Sequence, residues 1–448
     1  MRTLNLVMIT CMVGCAPASI VQANGVATSP RVLEMGSLSV RAIARTENWA
    51  YGDSPDAKVR VHPSFAFVTA DDDRFRMVVT STQIMDKIAR VIEFGASGVV
   101  DLTNELVTPR DPAGGTATPI AIVNASSVRP IVMLLRPYSR TGIPDAYVRV
   151  KGEWEGWSLP VDEEYARPVD AFSFVDPASK GMPRVWVSMQ VGCADDREQD
   201  DPRDGGRPKP RSLGNCERRV NTFRALGDDG KDIVKLPDGV VSLAVLRTGP
   251  ELTIAAHVVD PPRSAEPNGT ESIAFISKGA NKRLRLEHPV GGESQVLQAG
   301  TAIYLVAVHV SNPSLAYVEN MQVKNIAPHV DWPSRDRQVM AATTLPDGRL
   351  VVSVASMGWP VATNGSVWSW SPRSGWERVV TPSPAPDMSC TVGQLKWTQG
   401  ALWAIEACAR TRDNDAPDGE RILESRLLTS QPVSGPATVL HPSWYRPE

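Results

Sequence analysis

The sequence predicts an all-β chain, a β-propeller of seven blades with four strands in each. Three observations carry the prediction. Hairpin turns recur about every fifty residues, a second hairpin often follows each first one, and proline is plentiful. Proline supplies 37 of the 448 residues, about 8% against roughly 5% in average proteins. It breaks helix interiors and sits comfortably in turns and at strand ends. Stacked β-sandwich domains with similar strands are the alternative architecture, but they would not require such even spacing.

The clearest hairpin lies near the C-terminus. Val392 to Trp397 and Ala401 to Ala407 read as strands joined by Thr398-Gln399-Gly400, a three-residue loop ending in glycine. Facing residues then have numbers summing to 798, and Cys390 with Cys408 meets the same sum. In this register Leu395, Trp397, Trp403, Ile405 and Ala407 share one face, and Gln394, Lys396, Glu406 and both cysteines share the other. Similar strand pairs flank Arg247 to Glu251, Pro346-Asp347-Gly348 and Asp71-Asp72-Asp73, with weaker cases near Ser126, Ser179 and Ala299. The turn centres at 72, 126, 179, 249, 299, 347 and 399 are spaced by 54, 53, 70, 50, 48 and 52 residues. The long interval contains the 22 residues between Cys193 and Cys216. Second hairpins are read around Lys278-Gly279-Ala280-Asn281, Pro372 to Gly375 and the Gly-Asp-Asp-Gly turn at 227–230. Leu38 to Ala44 precedes the first unit and is expected to pair in the last blade, closing the ring.

Three regions follow from this reading: 1–14, 15–36 and the propeller at 37–448. Arg2 gives a positive start, and Leu4 to Val13 is mostly apolar. That stretch is too short for a spanning helix, which needs about twenty residues, and it fits a signal peptide. Met12-Val13-Gly14-Cys15 resembles the lipobox of bacterial lipoproteins, with Met12 in place of the usual leucine. The resemblance implies cleavage before Cys15, a diacylglycerol on its thiol that brings fatty-acyl chains such as palmitate, and a tether over 15–36. Ala16 stands where an inner-membrane retention aspartate would sit, which implies the outer membrane, facing the periplasm or the surface. Cleavage after Ala18 or Ala23 by an ordinary signal peptidase is the competing reading. No second apolar stretch of spanning length follows.

Cys11 falls inside the signal and Cys15 is taken by the lipid or removed, which leaves Cys193, Cys216, Cys390 and Cys408. An even number in an exported chain suggests disulfides, and the spacings favour Cys193–Cys216 and Cys390–Cys408. No CxxC occurs and no histidine lies near either pair, which argues against zinc.

The formal net charge of −3 gives no long-range attraction for nucleic acid. HExxH, a Walker loop and GxGxxG are all absent, and Gly95-Ala96-Ser97-Gly98 is one residue short of a nucleophile elbow. No cofactor or metal is expected. The acidic runs at 71–73 and 413–420 read as turn carboxylates, with calcium left open, and the charged stretch 195–211 reads as a solvated loop. Ser371-Pro372-Arg373-Ser374-Gly375-Trp376 resembles the sialidase Asp-box, with Arg373 where its aspartate belongs. Kelch, WD and quinone-type blade motifs are absent.

Function is expected on one end of the blades. The first-to-second and third-to-fourth strand turns are short. The second-to-third connections and the inter-blade links are long, at 194–215, 259–271, 327–337, 357–365 and 409–420. Long loops commonly carry function, and exposed Trp and Arg are favoured at binding hot spots. The candidate binding residues are therefore His329, Asp331, Trp332, Arg335, Trp359, Arg412 and Asp413. The expected protein is a membrane-anchored envelope lipoprotein that binds a protein or glycan and is non-catalytic. The alternatives are a periplasmic inhibitor or immunity protein against a secreted toxin, a propeller-fold glycan hydrolase or lyase with two convergent carboxylates, and a structural member of an envelope assembly.

Overall fold

Each of the seven turn centres lies in, or within two residues of, a connection between two paired antiparallel strands. The computed structural model describes residues 38–45, 49–51, 59–61, 63–67, 69–70, 75–81, 89–95, 98–101, 118–126, 129–135, 146–150, 153–157, 166–175, 183–191, 219–226, 233–237, 239–246, 253–260, 270–277, 280–290, 293–333, 336–356, 363–384, 388–410, 423–432 and 437–439. Cys15, Cys193, Cys216, Arg335, Trp359, Arg412 and Asp413 lie outside them.

The fold is all-β and propeller-like, a series of antiparallel sheets in chain order. The first sheet pairs Pro63–Phe67, Phe75–Ser81, Ala89–Gly95 and Gly98–Asp101. The second pairs Thr118–Ser126, Arg129–Leu135, Ala146–Val150 and Glu153–Trp157, with Thr69–Ala70 added in parallel at its first strand. The third holds Ala166–Val175, Pro183–Val191, Arg219–Leu226 and Ile233–Lys235, and the fourth Val240–Leu246, Thr253–Asp260, Thr270–Ser277 and Ala280–Arg285. The fifth holds Glu293–Ala299, Ala302–Val308, Leu315–Glu319 and Gln322–Asn325, and the sixth Arg337–Thr344, Leu350–Ser356, Thr363–Ser371 and Gly375–Val379. The seventh pairs Met388–Thr398, Ala401–Arg410 and Leu423–Thr429 with the N-terminal strand Arg41–Arg45, followed by Thr438–Val439. A two-stranded ribbon, Trp49–Tyr51 with Val59–Val61, stands apart from these sheets. No helix among the described residues is long and apolar enough to cross a membrane.

The fourth to seventh sheets pack face to face, which explains the sequence pattern of their second strands. Ala302–Val308 and Leu350–Ser356 are buried along nearly their whole length, because each touches a sheet on both sides. Such strands read as continuous apolar runs rather than as alternation. Tyr304, Val306, Tyr317, Val339, Val352 and Trp368 form the core between the fifth and sixth sheets. Val351, Val367, Leu395, Leu402 and Leu428 form the next, with Leu38 and Val40 from the N-terminal segment. Side chains also stitch the interfaces. Ser353 Oγ donates to the Val392 carbonyl at 2.6 Å, and Tyr304 OH donates to the Gly348 carbonyl at 2.7 Å. Burial raises the Tyr304 pKa further above its ordinary value, so this phenol remains a donor.

The N-terminal strand pairs in the last sheet, as the sequence suggested, with Arg41 opposite Thr429 and Arg45 opposite Arg426. Just before it, Val40 N donates to Val380 O and Val380 N donates to Leu38 O, both at 2.9 Å. This segment therefore ties the edge of the sixth sheet to the seventh.

The C-terminal hairpin is partly as read and partly corrected. Cys390 does face Cys408, and the two are bonded. The turn, however, has two residues rather than three: Thr398 pairs with Ala401, leaving Gln399 and Gly400 at φ of 53° and 69°. Positive φ at both positions is the signature of the two-residue turn whose twist matches the strands, and Gly400 adopts it at no steric cost. One residue is then taken up by a bulge at Gly393, which restores the cysteine register. The faces change accordingly. Leu395 and Trp397 lie opposite Ala404 and Leu402, whereas Trp403 and Ile405 lie opposite Lys396 and Gln394. The first strands of the third, fourth and sixth sheets carry a one-residue bulge too and that of the second sheet carries two, so the irregularity belongs to the repeat.

Candidate functional site: the link between the fifth and sixth sheets

After Gln322–Asn325 the chain crosses to Arg337–Thr344 through a link whose middle folds back on itself. Trp332 N donates to the His329 carbonyl at 3.1 Å, and Asp331 N donates to His329 Nδ1 at 3.1 Å. The His329 ring stacks on Trp368 of the sixth sheet, with centroids 4.4 Å apart. The link is also pinned from below, where Trp376 Nε1 donates to the Ala327 carbonyl at 2.7 Å. Antiparallel alternation sets this link and the paired strand ends at Ser356 and Thr363 at one end of the sheets, with the short turns at 346–348, 372–374 and 399–400 at the other.

The link and the sixth sheet enclose an open cleft of about 380 Å³ lined by Asp331, Pro333, Gly365, Ser366, Trp368 and Arg378. That volume falls at the small end of the roughly 300–1,000 Å³ range of ligand sites. Ser366, Trp368 and Arg378 share one face of the sheet, since Trp368 pairs directly with Arg378. Trp368 Nε1 donates to Ser366 Oγ at 2.9 Å, which leaves the serine hydroxyl hydrogen free to point elsewhere. The Asp331 side chain is 72% exposed. Arg378 is exposed and makes no ion pair with the described residues. Gly365 is required by a close approach: a Cβ there would sit 2.3 Å from the Cys390 carbonyl oxygen.

Of the residues singled out in the sequence, Asp331 lines this cleft, and His329 lies beside it, stacked on Trp368 with its Nδ1 3.6 Å from Asp331 Oδ2. Trp332 is a correction. It is only 3% exposed, with its ring 4.7 Å from Trp376 and the Arg337 guanidinium over it at 6.0 Å. Folding an indole into the slot between two sheets removes a large apolar surface from water, worth roughly 2–3 kcal/mol. Trp332 therefore anchors the link and is not an exposed contact. Sequence reasoning missed Val330, which is 89% exposed at the tip of the same link. It also missed Arg378, Ser366 and Gly365, whose part depends on which strands meet.

Two buried polar groups lie elsewhere. His257 is fully buried, with Nδ1 2.7 Å from Ser294 Oγ and Nε2 3.0 Å from Glu271 Oε2. Ser242 Oγ reaches Ser294 Oγ at 3.0 Å, and Val290 N donates to Glu271 Oε2 at 2.6 Å. In a hydrolytic triad the serine meets Nε2 and the acid Nδ1. Here the nitrogens are exchanged and the histidine is sealed, so the chain locks the fourth sheet to the fifth. In the seventh sheet Glu406 pairs with Arg426 at 2.5 Å, and Arg426 Nη2 lies 3.2 Å from Cys390 Sγ. Cys390, Glu406 and Cys408 have atoms close enough to share a metal ion. The disulfide consumes both sulfurs, and the Arg426 guanidinium supplies the positive charge beside the carboxylate.

No family model matches the sequence, and no curated protein matches it. Solved structures resemble it weakly. A prolyl endopeptidase is 14% identical over 82% of this chain and 50% of its own, with a TM-score of 0.42. The acylaminoacyl peptidase of Pyrococcus horikoshii is 11% identical over 81% of this chain and 52% of its own, also at 0.42. The sialidase of Trypanosoma rangeli is 9% identical over 87% of this chain and 57% of its own, at 0.37. The chain thus spans about half the length of the solved peptidases it matches. Likeness of this degree carries no argument about activity or ligand.

Proposed function

We propose that this chain is an exported binding protein, held by a lipid on Cys15 to the bacterial outer membrane. Its body is a seven-bladed propeller that presents the inter-sheet link end to a partner. Three features support the ring. Among the described residues the four- and five-stranded sheets number seven, each touches the next in chain order, and the first touches the seventh through Phe67 N donating to Gln394 Oε1 at 2.9 Å. The N-terminal strand inside the last sheet is the usual kind of latch for such a ring. The observation that carries the binding reading is the cleft beside Asp331. It is built from an inter-sheet link whose indole is invested inward, so that the outward residues are held in place without themselves being needed for the fold. Ligand sites of this kind are preformed, with a few fixed polar groups.

One experiment addresses anchor and binding together. Cells fed labelled palmitate and then treated with a crosslinker are expected to yield a labelled protein with a stoichiometric partner. The label should vanish in a Cys15→Ser variant. Label persisting in that variant removes the anchor, and a wild-type protein recovered without any stoichiometric partner removes the binding reading.

A further inference from the structure

The cleft chemistry narrows the partner class, given the binding reading above. We infer that the occupant is an extended polypeptide segment, with an acidic group against Arg378, a basic group against Asp331 and an apolar side chain beside Val330. Glycan recognition commonly relies on an open aromatic face for the sugar ring, and the two described indoles nearest the cleft do not offer one. Trp332 is 3% exposed and Trp368 5%, and the ring of His329 lies across Trp368. What does face solvent is a different set. Asp331 and Arg378 carry opposite charges on the lining of one cleft, and Ser366 adds a hydroxyl donor to the same lining. Val330 is the most exposed of the three large apolar residues found exposed among those described. It neighbours Asp331 and, with Pro333, gives the link an apolar edge.

Opposed charges at an apolar edge suit a polypeptide, which can place a carboxylate, a cation and an aliphatic side chain within a few residues. The Arg378 guanidinium takes a carboxylate through two parallel N–H donors, while Asp331 accepts from an ammonium or guanidinium. Both charged groups lie at the surface, so their contribution should be set by complementarity and fall as salt rises.

Random heptapeptides displayed on phage and selected on the full chain test this. Selected peptides are expected to carry both an acidic and a basic residue. They should lose at least tenfold in affinity for Arg378→Glu and for Asp331→Lys, and a peptide with its two charges exchanged should regain affinity for the double variant. Both side chains are exposed, so each variant should keep the wild-type unfolding midpoint. Failure to select any peptide, or selected peptides that ignore both substitutions, would overturn the inference. Two outcomes separate its failure from that of the wider reading. Retention of an arrayed glycan, lost in Asp331→Lys, replaces the polypeptide but leaves the working end standing. Peptides displaced only by Arg373→Glu, at the short-turn end, overturn both.

Discussion

Replacing Arg426 by methionine is expected to cost the fold about 3–5 kcal/mol, the usual penalty for stripping one partner from a buried ion pair. Glu406 is 4% exposed, and its direct partner is the guanidinium at 2.5 Å. Burial raises the Glu406 pKa, and Arg426, by charge and hydrogen bond, lowers it. Without Arg426 only the raising influences remain, namely burial and the nearby Glu424. The folded variant then binds a proton that the unfolded chain releases at a lower pH. Its stability is therefore highest at or below the ordinary carboxylate range and falls as pH rises through the folded value. Urea unfolding of Arg426→Met should accordingly show a deficit at neutral pH that shrinks on acidification. Arg426→Met with Glu406→Met should recover most of the loss, since an apolar pair of similar volume removes the stranded charge. A single-variant loss under about 1 kcal/mol, or one indifferent to pH, contradicts this account.

Gly365→Ala should be the most damaging of the conservative changes near the cleft. The added methyl would lie 2.3 Å from the Cys390 carbonyl oxygen and 2.9 Å from Thr391 Cα, both backbone atoms. No side chain can turn aside, so the third strand of the sixth sheet must shift away from the seventh. Overpacking of this kind costs about 1–3 kcal/mol and occasionally more. Gly393→Ala, where nothing lies within 4 Å, is the matched control and should change stability by no more than about 0.5 kcal/mol. Thermal unfolding of the two variants decides the matter, and equal midpoints would mean that the sheets are not in such close contact.

Much of the fold was legible because its signals are local. Gly348 and Gly400 mark hairpin turns within a few residues of the strands they join, and arithmetic alone sets Cys390 opposite Cys408. The bulge at Gly393 was not legible. A turn shorter by one and a bulge longer by one leave the cysteines opposed, so the same sum fits either path. Yet the two paths put Trp403 on opposite faces. Long-range features were harder still. Trp332 reads as exposed in a polar link, and only the meeting of two sheets reveals the slot that takes it. Arg378 belongs to the cleft because Trp368 pairs with it, and Gly365 because a strand of another sheet passes close by. His257 could be set within a strand from sequence, but its partner Ser294 lies in the next sheet.

The central claim is that the link end of the sheets, rather than the short-turn end, meets the partner. A photoreactive benzoylphenylalanine placed at Val330 in one strain and at Arg373 in another tests it in intact cells without knowing the partner. Val330 is 89% exposed on the link, and Arg373 is exposed in the turn at the opposite end. Illumination is expected to give a discrete crosslinked adduct from position 330 and none from position 373. An adduct from 373 with position 330 clean would mean that the protein works through its other end.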